Sequence, residues 1–356
     1  MYGGPVTIAS TVELKAIATA SGDSDSHVAS ATYTMESGGI SLSGLPVLSG
    51  SGVRRPAGAA SGLKVLDWAG FKSAVTYTFD DSIPSQIANY PLLQATGVRM
   101  TFFLVCGSDQ NSPIWAQAAK DGHELGNHTE HHCHADGTGC GWGAFGGSIA
   151  AEYDACTDHI KQSYGVGNVW TTAAPYGDTG FEPVAKTRFF LNRGVWRGQV
   201  AANDQTDPYN LLIYGAAAGD TAEKFNAQID SSHSSGKWLI LLFHSLGADG
   251  GYAPVNVSDV IASVHHAQSM GDVWIDSMVN VGAYWSGQEA ISHAVSTQSG
   301  NDTVLTWSLP SHFPSGRFVR VTVAGGTLKQ AGRVLAWNDA GYYEIALDPG
   351  SLTISR

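Results

Sequence analysis

Hydrophobic positions fall into three regimes along the chain. From residue 64 to 287, apolar runs alternate with stretches of helical periodicity. The runs at 74–79, 100–105, 169–173, 188–195, 239–243 and 273–275 are predicted as strands, and 112–121, 148–163, 221–234 and 257–269 as helices. Strand and helix in alternation predict a parallel α/β sheet or barrel, with functional residues at the C-terminal ends of the strands. On either side the period drops to two. Residues 12–18 and 29–35 alternate apolar and polar and read as half-buried strands. Residues 304–309, 318–323, 334–337 and 342–347 do the same, with Gly and Pro between, and read as a small β-sandwich. Between residue 38 and residue 63 the chain is rich in Ser, Gly, Pro and Ala, the composition of a linker.

These regimes divide the chain into a partial β module (1–37), a linker (38–63), an α/β unit (64–287) and a C-terminal β-sandwich (288–356). The expected fold class is α/β: a distorted (β/α) barrel flanked by an N-terminal β fragment and a small C-terminal sandwich. In that sandwich Trp307 and Trp337 are expected to pack in the core rather than stack on sugars, because sandwich cores commonly use large aromatics.

Composition narrows the function classes. The 356 residues are 43% apolar, enough for a sizeable core, and only 14% charged, with 43 glycines. A surface polar by hydroxyl and amide fits a secreted protein. The net charge is −12, and the nearest thing to a basic run is Arg54-Arg55. Nucleic acid and anionic membrane surfaces are thus poor partners, since both need a basic footprint. The apolar run at 238–243 is far too short to insert across a membrane. Met1 is followed by Tyr2-Gly3-Gly4-Pro5, with no charged and apolar leader, so the expectation is a secreted or periplasmic protein whose signal peptide is not in this chain. Oligomeric state is not legible. Cys133, Cys140 and Cys156 are close in sequence and lack Cys-x-x-Cys spacing, so one disulfide among them is expected rather than a zinc knuckle. Cys106, in an apolar run, reads as a buried thiol.

Four signals carry chemistry. The strand at 74–79 runs into Asp80-Asp81. On a regular strand adjacent side chains point to opposite faces, so both carboxylates reach one cleft only if the chain turns there. Alone, such a pair is usually a solvated turn. The second signal is His123, His128, His131, His132 and His134, five of the chain's 13 histidines within twelve positions. His128 and His132, four apart, share one face of a helical turn and could grip one metal; His128 and His131 also fit. Two histidines and a carboxylate with an open position make a catalytic zinc site. The third is His244, closing the apolar strand at 238–243. The fourth is the turn Ala174-Pro175-Tyr176-Gly177.

In this order the motifs resemble those of the polysaccharide deacetylases, the family-4 carbohydrate esterases with the nodulation-deacetylase homology domain. Thr78-Phe79-Asp80-Asp81 is similar to the family's first motif and His128-Thr129-Glu130-His131-His132 to its second. Ala174-Pro175-Tyr176-Gly177 partly fits the third, and Ile240, Leu242 and His244 fit the fifth. Thr101-Phe102-Phe103 and the stretch from Gly122 to Asn127 resemble the flanking strands, so the resemblance spans about 70–285. It implies that Asp80 is the general base and that Asp81, His128 and His132 hold a divalent metal, zinc foremost. It further implies that His244 is the general acid and that the Tyr176 backbone N–H steadies the oxyanion. Leu242 would line the acetyl-methyl pocket, and Pro175 would contact substrate. His123, His131 and His134 would not be ligands, and His123 is expected to face the core or a backbone carbonyl.

Two departures stand out. The family usually opens the third motif with an arginine that fixes the base; here that position is Ala173. The fourth motif, which tunes the acid histidine, is not recognisable. Arg193, on the next strand, is the favoured replacement for the lost arginine, with Arg197 second. At the other end, the stretches 2–8, 14–18 and 28–33 resemble the last strands of a chitobiase/β-hexosaminidase C-terminal-type module. The expected activity is metal-dependent removal of N- or O-acetyl groups from a polysaccharide or oligosaccharide. The alternatives are a carbohydrate-binding protein with a decayed deacetylase site and a metal-dependent hydrolase of another bond.

Overall fold

A computed structural model describes residues 12–19, 22, 26, 28–33, 43–60 and 62–355. Near the N-terminus, β1 (Val12–Ala16) and β2 (Ala29–Tyr33) form an antiparallel hairpin. Of the remaining expected N-terminal strand positions, 2–8 and 34–35 lie outside the described residues.

After β3 (Lys64–Val65) comes the barrel. Its strands are β4 (Ser73–Asp80), β5 (Thr101–Leu104), β6 (Glu124–Asn127), β7 (Thr171–Ala173), β8 (Leu191–Arg197), β9 (Leu211–Gly215) and β10 (Trp238–Phe243). Each pairs in parallel with the next, and β10 returns to β4 with Trp238 opposite Ala74 and Phe243 opposite Phe79, which closes the ring. β11 (Val273–Ile275) adds to the outside edge of β4. Every residue of β4 and β10 is buried, as a strand covered on both faces must be. The period of two sorts their side chains. Val75, Tyr77, Phe79, Leu239, Leu241 and Phe243 pack outward under the helices, whereas Ala74, Trp238, Ile240 and Leu242 fill the interior.

The outer helices are α1 (Pro84–Gln94), α2 (Pro113–Lys120), α3 (Ile149–Tyr164), α4 (Glu182–Ala185), α5 (Ala222–Ser235), α6 (Val257–Ser269) and α7 (Met278–Ser292). Their ends follow local rules. Ser112 and Ser148 accept backbone N–H groups at the starts of α2 and α3, and left-handed Gly165 and Gly236 end α3 and α5. α7 lies across the N-terminal end of the barrel. Its first N–H groups donate to Thr101 Oγ1 (2.8 Å, from Met278) and to buried Glu124 Oε2 (2.8 Å, from Val279). A carboxylate at a helix N-terminus satisfies orphan donors and the helix dipole together.

Beyond α7 come β12 (Val295–Ser299), β13 (Asp302–Thr306), β14 (Phe318–Thr322), β15 (Thr327–Gln330), β16 (Arg333–Val334), β17 (Tyr343–Ala346) and β18 (Ser351–Ser355). One antiparallel sheet runs β12-β13-β18-β15-β16; the other runs β17-β14-β3. The second sheet thus takes a strand from before the barrel. The segment of linker composition also lies along this sandwich: Val53 N–H donates to Asp339 O, Gly326 N–H to Gly58 O, and buried Arg320 to Pro46 O. Trp307 is buried and gives its indole N–H to Leu347 O, whereas Trp337 is half-buried, its indole N–H on Val53 O.

The expected disulfide among Cys133, Cys140 and Cys156 is present as Cys133–Cys140, and the reading of Cys106 is corrected. Cys106 is no free thiol: it is bonded to Cys156, tying the end of β5 to α3, and Cys133 is bonded to Cys140. Cys106 is buried as expected, but Cys156 lies under it.

Candidate active site at the barrel mouth

The site forms where strands end. Asp80 is the last residue of β4 and faces inward by the strand period. Asp81 and Ser82 then adopt left-handed φ values of 77° and 50°, which breaks the alternation and turns Asp81 toward the same cleft. Ser82 Oγ donates to Val105 O and accepts from Val105 N–H, pinning the turn to the neighbouring strand. Gln86 in α1 donates both to Asp80 O and to His244 O (2.9 Å), so one buried amide ties the ends of β4 and β10 together.

His128 and His132 meet without a helix. Residues 128–134 form a loop in which Thr129 and His132 have φ of 69° and 54°, and His132 N–H donates to Thr129 Oγ1 (2.9 Å). The helical-turn expectation is replaced by a side-chain-braced loop that brings the rings within 4.7 Å. One ligand atom each from Asp81, His128 and His132 lies within 4.8 Å of the others. His128 Nε2 and His132 Nε2 stand 3.5 and 3.6 Å from Asp81 Oδ1. His128 Nδ1 is 2.7 Å from Ala173 O, so a ring that keeps its proton there would offer Nε2 to an ion. Burial works to lower the pKa of His128, but Asp80 and Asp81 outweigh burial and raise it, so a bound ion would take the place of the proton on Nε2.

A divalent cation fits this donor set. Asp81 Oδ1 is buried without a hydrogen-bond partner, a costly state for a carboxylate that an ion between it and two imidazoles would relieve. Burial works to raise the pKa of Asp81, but His128, with His244 and His132 behind it, outweighs burial and holds it at about 2. Burial, with His128 adding to it, lowers His132 to about 4, so its imidazole is neutral, as a ligand must be.

Asp80 lies beside the triad, its Oδ2 3.6 Å from His128 Nε2 and 4.0 Å from His244 Nε2. Arg193, 1% exposed, donates to the same oxygen. Arg193 is the cross-strand partner of Ala173 in the β7–β8 pair, so its guanidinium reaches the base from the adjacent strand. It rests over the Phe103 ring at 5.4 Å. Arg197 instead lies over Tyr214 and takes no part. His244 is half-buried; burial lowers its pKa despite Asp80 and Asp81, and its Nδ1 has no hydrogen-bond partner. Leu242 is buried inside the barrel near this end. Pro175 is buried, and Tyr176 follows at φ 57° with its ring 4.5 Å from that of His132 and its hydroxyl donating to Gly139 O (2.6 Å).

The other histidines have structural partners. His131 pairs with buried Glu152 (3.0 Å) and His134 stacks on Tyr176. His123 faces the core, accepting from Met100 N–H rather than donating to a carbonyl, with Gln94 on its other nitrogen. Burial pushes its pKa down to about 4. Sequence reasoning passed over Gln86, Trp142, whose ring is 5.6 Å from that of His132, and Tyr252, whose ring is 4.9 Å from that of His244. None sits in a motif with its own chemical signature. A cavity of about 900 Å³ between α7, the 204–210 loop and the sandwich contains none of the site residues.

Residues 70–187 match the sequence profile of the family described as polysaccharide deacetylase. That segment belongs to the polysaccharide deacetylase family. The match carries Asp80, Asp81, His128, His132, Pro175 and Tyr176 and stops before Arg193, Leu242 and His244. Among solved structures the deacetylase domain is similar to a family 4 carbohydrate esterase from Streptomyces lividans in complex with acetate. Identity is 17%, over 60% of this chain and 95% of that one, with a TM-score of 0.41. It is also similar to a T48 deacetylase with substrate, at 18% identity over 59% and 91% and a TM-score of 0.42. A third is the Xyl-CE4 domain of a multidomain xylanase from the hindgut metagenome of Trinervitermes trinervoides. That match has 16% identity over 59% and 89%, and a TM-score of 0.40. No curated protein matches the chain. Among the described residues no helix is long and apolar enough to cross a membrane.

Proposed function

We propose that the chain is a metal-dependent hydrolase that releases acetate from an acetylated polysaccharide or oligosaccharide, N- or O-linked. The observation that carries this is the convergence of Asp81, His128 and His132 on one point, with Asp80 and His244 beside it. A divalent ion there, zinc foremost, would lower the pKa of a water toward ~7 and polarise the acetyl carbonyl. Asp80 takes the proton of the attacking water as its oxygen bonds to the carbonyl carbon, and Arg193 holds Asp80 in place. The Tyr176 backbone N–H donates to the developing oxyanion, a contact whose loss typically costs ~3 kcal/mol. Leu242 and Pro175 bound the space for the acetyl group. His244 delivers a proton to the departing sugar oxygen or nitrogen as its bond to carbon breaks. Base and acid at separate places suit a reaction in which nucleophile and leaving group lie apart.

The decayed-site reading drew on Ala173. Arg193 supplies from β8 the cation that Ala173 lacks, which removes that support. Two disulfides fit an oxidising, secreted or periplasmic setting. We further read 64–287 as the catalytic unit, 288–356 as its companion sandwich and the N-terminal hairpin as part of a chitobiase-type module.

The test separates roles. Asp81→Ala should lose bound zinc, measured by elemental analysis after dialysis. Asp80→Asn should keep zinc and the folded circular dichroism spectrum, yet lose roughly 100-fold or more in acetate release from an aryl acetate. Equal loss of metal in both variants sinks the assignment.

A further inference from the structure

The ladder that joins β4 to β10 ends at Phe79 and Phe243, one residue short of Asp80 and His244. Asp80 has anchors of its own: it pairs with Phe103 of β5, and Arg193 donates to its carboxylate. His244 has none of this kind. Its Nδ1 is without a hydrogen-bond partner, and its Nε2 stands 4.0 Å from Asp80 Oδ2, beyond hydrogen-bond reach. Among the described residues no hydrogen bond orients the ring, so its place relative to Asp80 depends on its backbone.

That backbone is held by the first turns of α1. Pro84 starts the helix, and Ser85 and Gln86 after it are buried. The Gln86 amide nitrogen, which has two protons to give, donates to Asp80 O and to His244 O (2.9 Å). Ser85 Oγ accepts from Leu246 N–H (2.9 Å), Ser85 N–H donates to Asp249 Oδ2 (3.0 Å), and Asn89 Nδ2 donates to Leu246 O (3.1 Å). One helix thus grips both the end of β4 and the residues that follow β10. The other end of the Gln86 amide is left over: Oε1 is buried without a partner. An unpaired buried acceptor is costly, so stability alone is a poor reason to place an amide here. Its nitrogen supplies a better one, because it holds the carbonyls of the base and the acid at one fixed spacing.

Resting on the deacetylase reading, we propose that Gln86 is a positioning residue that sets His244 against Asp80, and that expulsion of a poor leaving group depends on it. Substrates divide by what leaves. A nitrophenolate departs as the anion, so its acetate needs the base but not the acid. A sugar oxygen or nitrogen departs only as its bond to the carbonyl carbon breaks and the His244 proton moves onto it. Loosening His244 while Asp80 stays anchored therefore slows the second class far more than the first.

The experiment measures kcat and KM for wild type, Gln86→Met and Ser85→Ala, with bound zinc and melting temperature as controls. The substrates are p-nitrophenyl acetate and the better of two sugar substrates, an O-acetylated xylooligosaccharide and an N-acetylated chitooligosaccharide. Gln86→Met keeps an unbranched side chain and removes the donor; Ser85→Ala removes only the acceptor for Leu246 N–H. In Gln86→Met the ratio of kcat on the sugar to kcat on the nitrophenyl ester should fall roughly 10-fold or more, part of the 10²–10⁴ that a positioned acid contributes, with KM for the sugar little changed. Ser85→Ala should move the ratio in the same direction by less. A ratio equal to that of wild type in both variants overturns the proposal, even if both activities fall, because a purely structural loss lowers all turnover alike. If Gln86→Met does not fold, the ratio in Ser85→Ala decides. A wild type that releases acetate from neither sugar fails the deacetylase reading, and the proposal with it; an active wild type beside variants of unchanged ratio sinks the proposal alone.

Discussion

At the scale of single residues, the site turns on where its arginine comes from. A carboxylate as deeply buried as Asp80 is unstable alone, and Arg193 is the cation that meets it. Removing one partner of a buried pair typically destabilises a protein by about 3–5 kcal/mol, so Arg193→Ala should both lower thermal stability and cut turnover. The two losses can be separated. Ala173 and Arg193 face each other across β7 and β8, so an arginine placed at either position starts on the same side of the barrel wall. In the background of Arg193→Ala, adding Ala173→Arg should restore part of kcat, whereas Ala173→Leu should not, although both refill the space. The readout is kcat and KM on an aryl acetate, with melting temperature as the control. If Arg193→Ala keeps wild-type kcat, the arginine only stabilises the fold. The sequence carried this pairing only as a matter of strand order, because a residue that acts on another from the next strand leaves no motif.

Among elements, β4 and β10 were legible because strands buried on both faces are written as unbroken apolar runs. α7 was not, for the complementary reason. It is packed against the barrel and the sandwich at once, with Val279, Val281, Ala283, Tyr284, Trp285 and Ile291 all buried, so no polar stripe marks a period. β9, with five residues, and α1, with Pro91 in its middle, lacked length or pattern. The second motif brings His128 and His132 together on a loop and not on the expected helical turn. A loop, unlike a helix, must be braced to hold a ligand, and here the brace includes the Cys133–Cys140 bond immediately after His132 and the Tyr176 hydroxyl on Gly139. Replacing both cysteines with serine should therefore weaken zinc binding roughly 10–100-fold, the range seen when groups supporting a ligand are removed. The Cys106–Cys156 bond, farther from His132, serves as the comparison. Competition with a zinc chelator measures both. Equal zinc affinity in wild type and Cys133→Ser/Cys140→Ser overturns the idea that the bond holds the ligand loop.

For the whole molecule, the question is whether the barrel stands without its sandwich. Three features argue that it does not. β3 enters the chain before the barrel but pairs with β14, Val65 opposite Val321. Arg320, fully buried in β14, donates to Ala69 O just ahead of β4 and to Pro46 O in the segment before β3. Tyr284 and Trp285 of α7 share one buried cluster with Val319, Ile345 and Leu347 of the sandwich. Cutting the chain after residue 292 would expose those apolar surfaces and leave the carbonyls of Ala69 and Pro46 without the buried guanidinium. Exposure of apolar surface costs ~25 cal/mol per Å², so even a few hundred Å² is comparable with the stability of a typical domain. A fragment of residues 43–292 should thus melt well below the full chain or fail to remain soluble, although it retains every residue placed in the candidate site. Adding 293–356 as a separate polypeptide should recover stability and zinc binding together, since the lost contacts are noncovalent. Calorimetry on the fragment, on the complemented pair and on the full chain checks this. A fragment that melts at the full chain's temperature would show that the sandwich is an independent passenger.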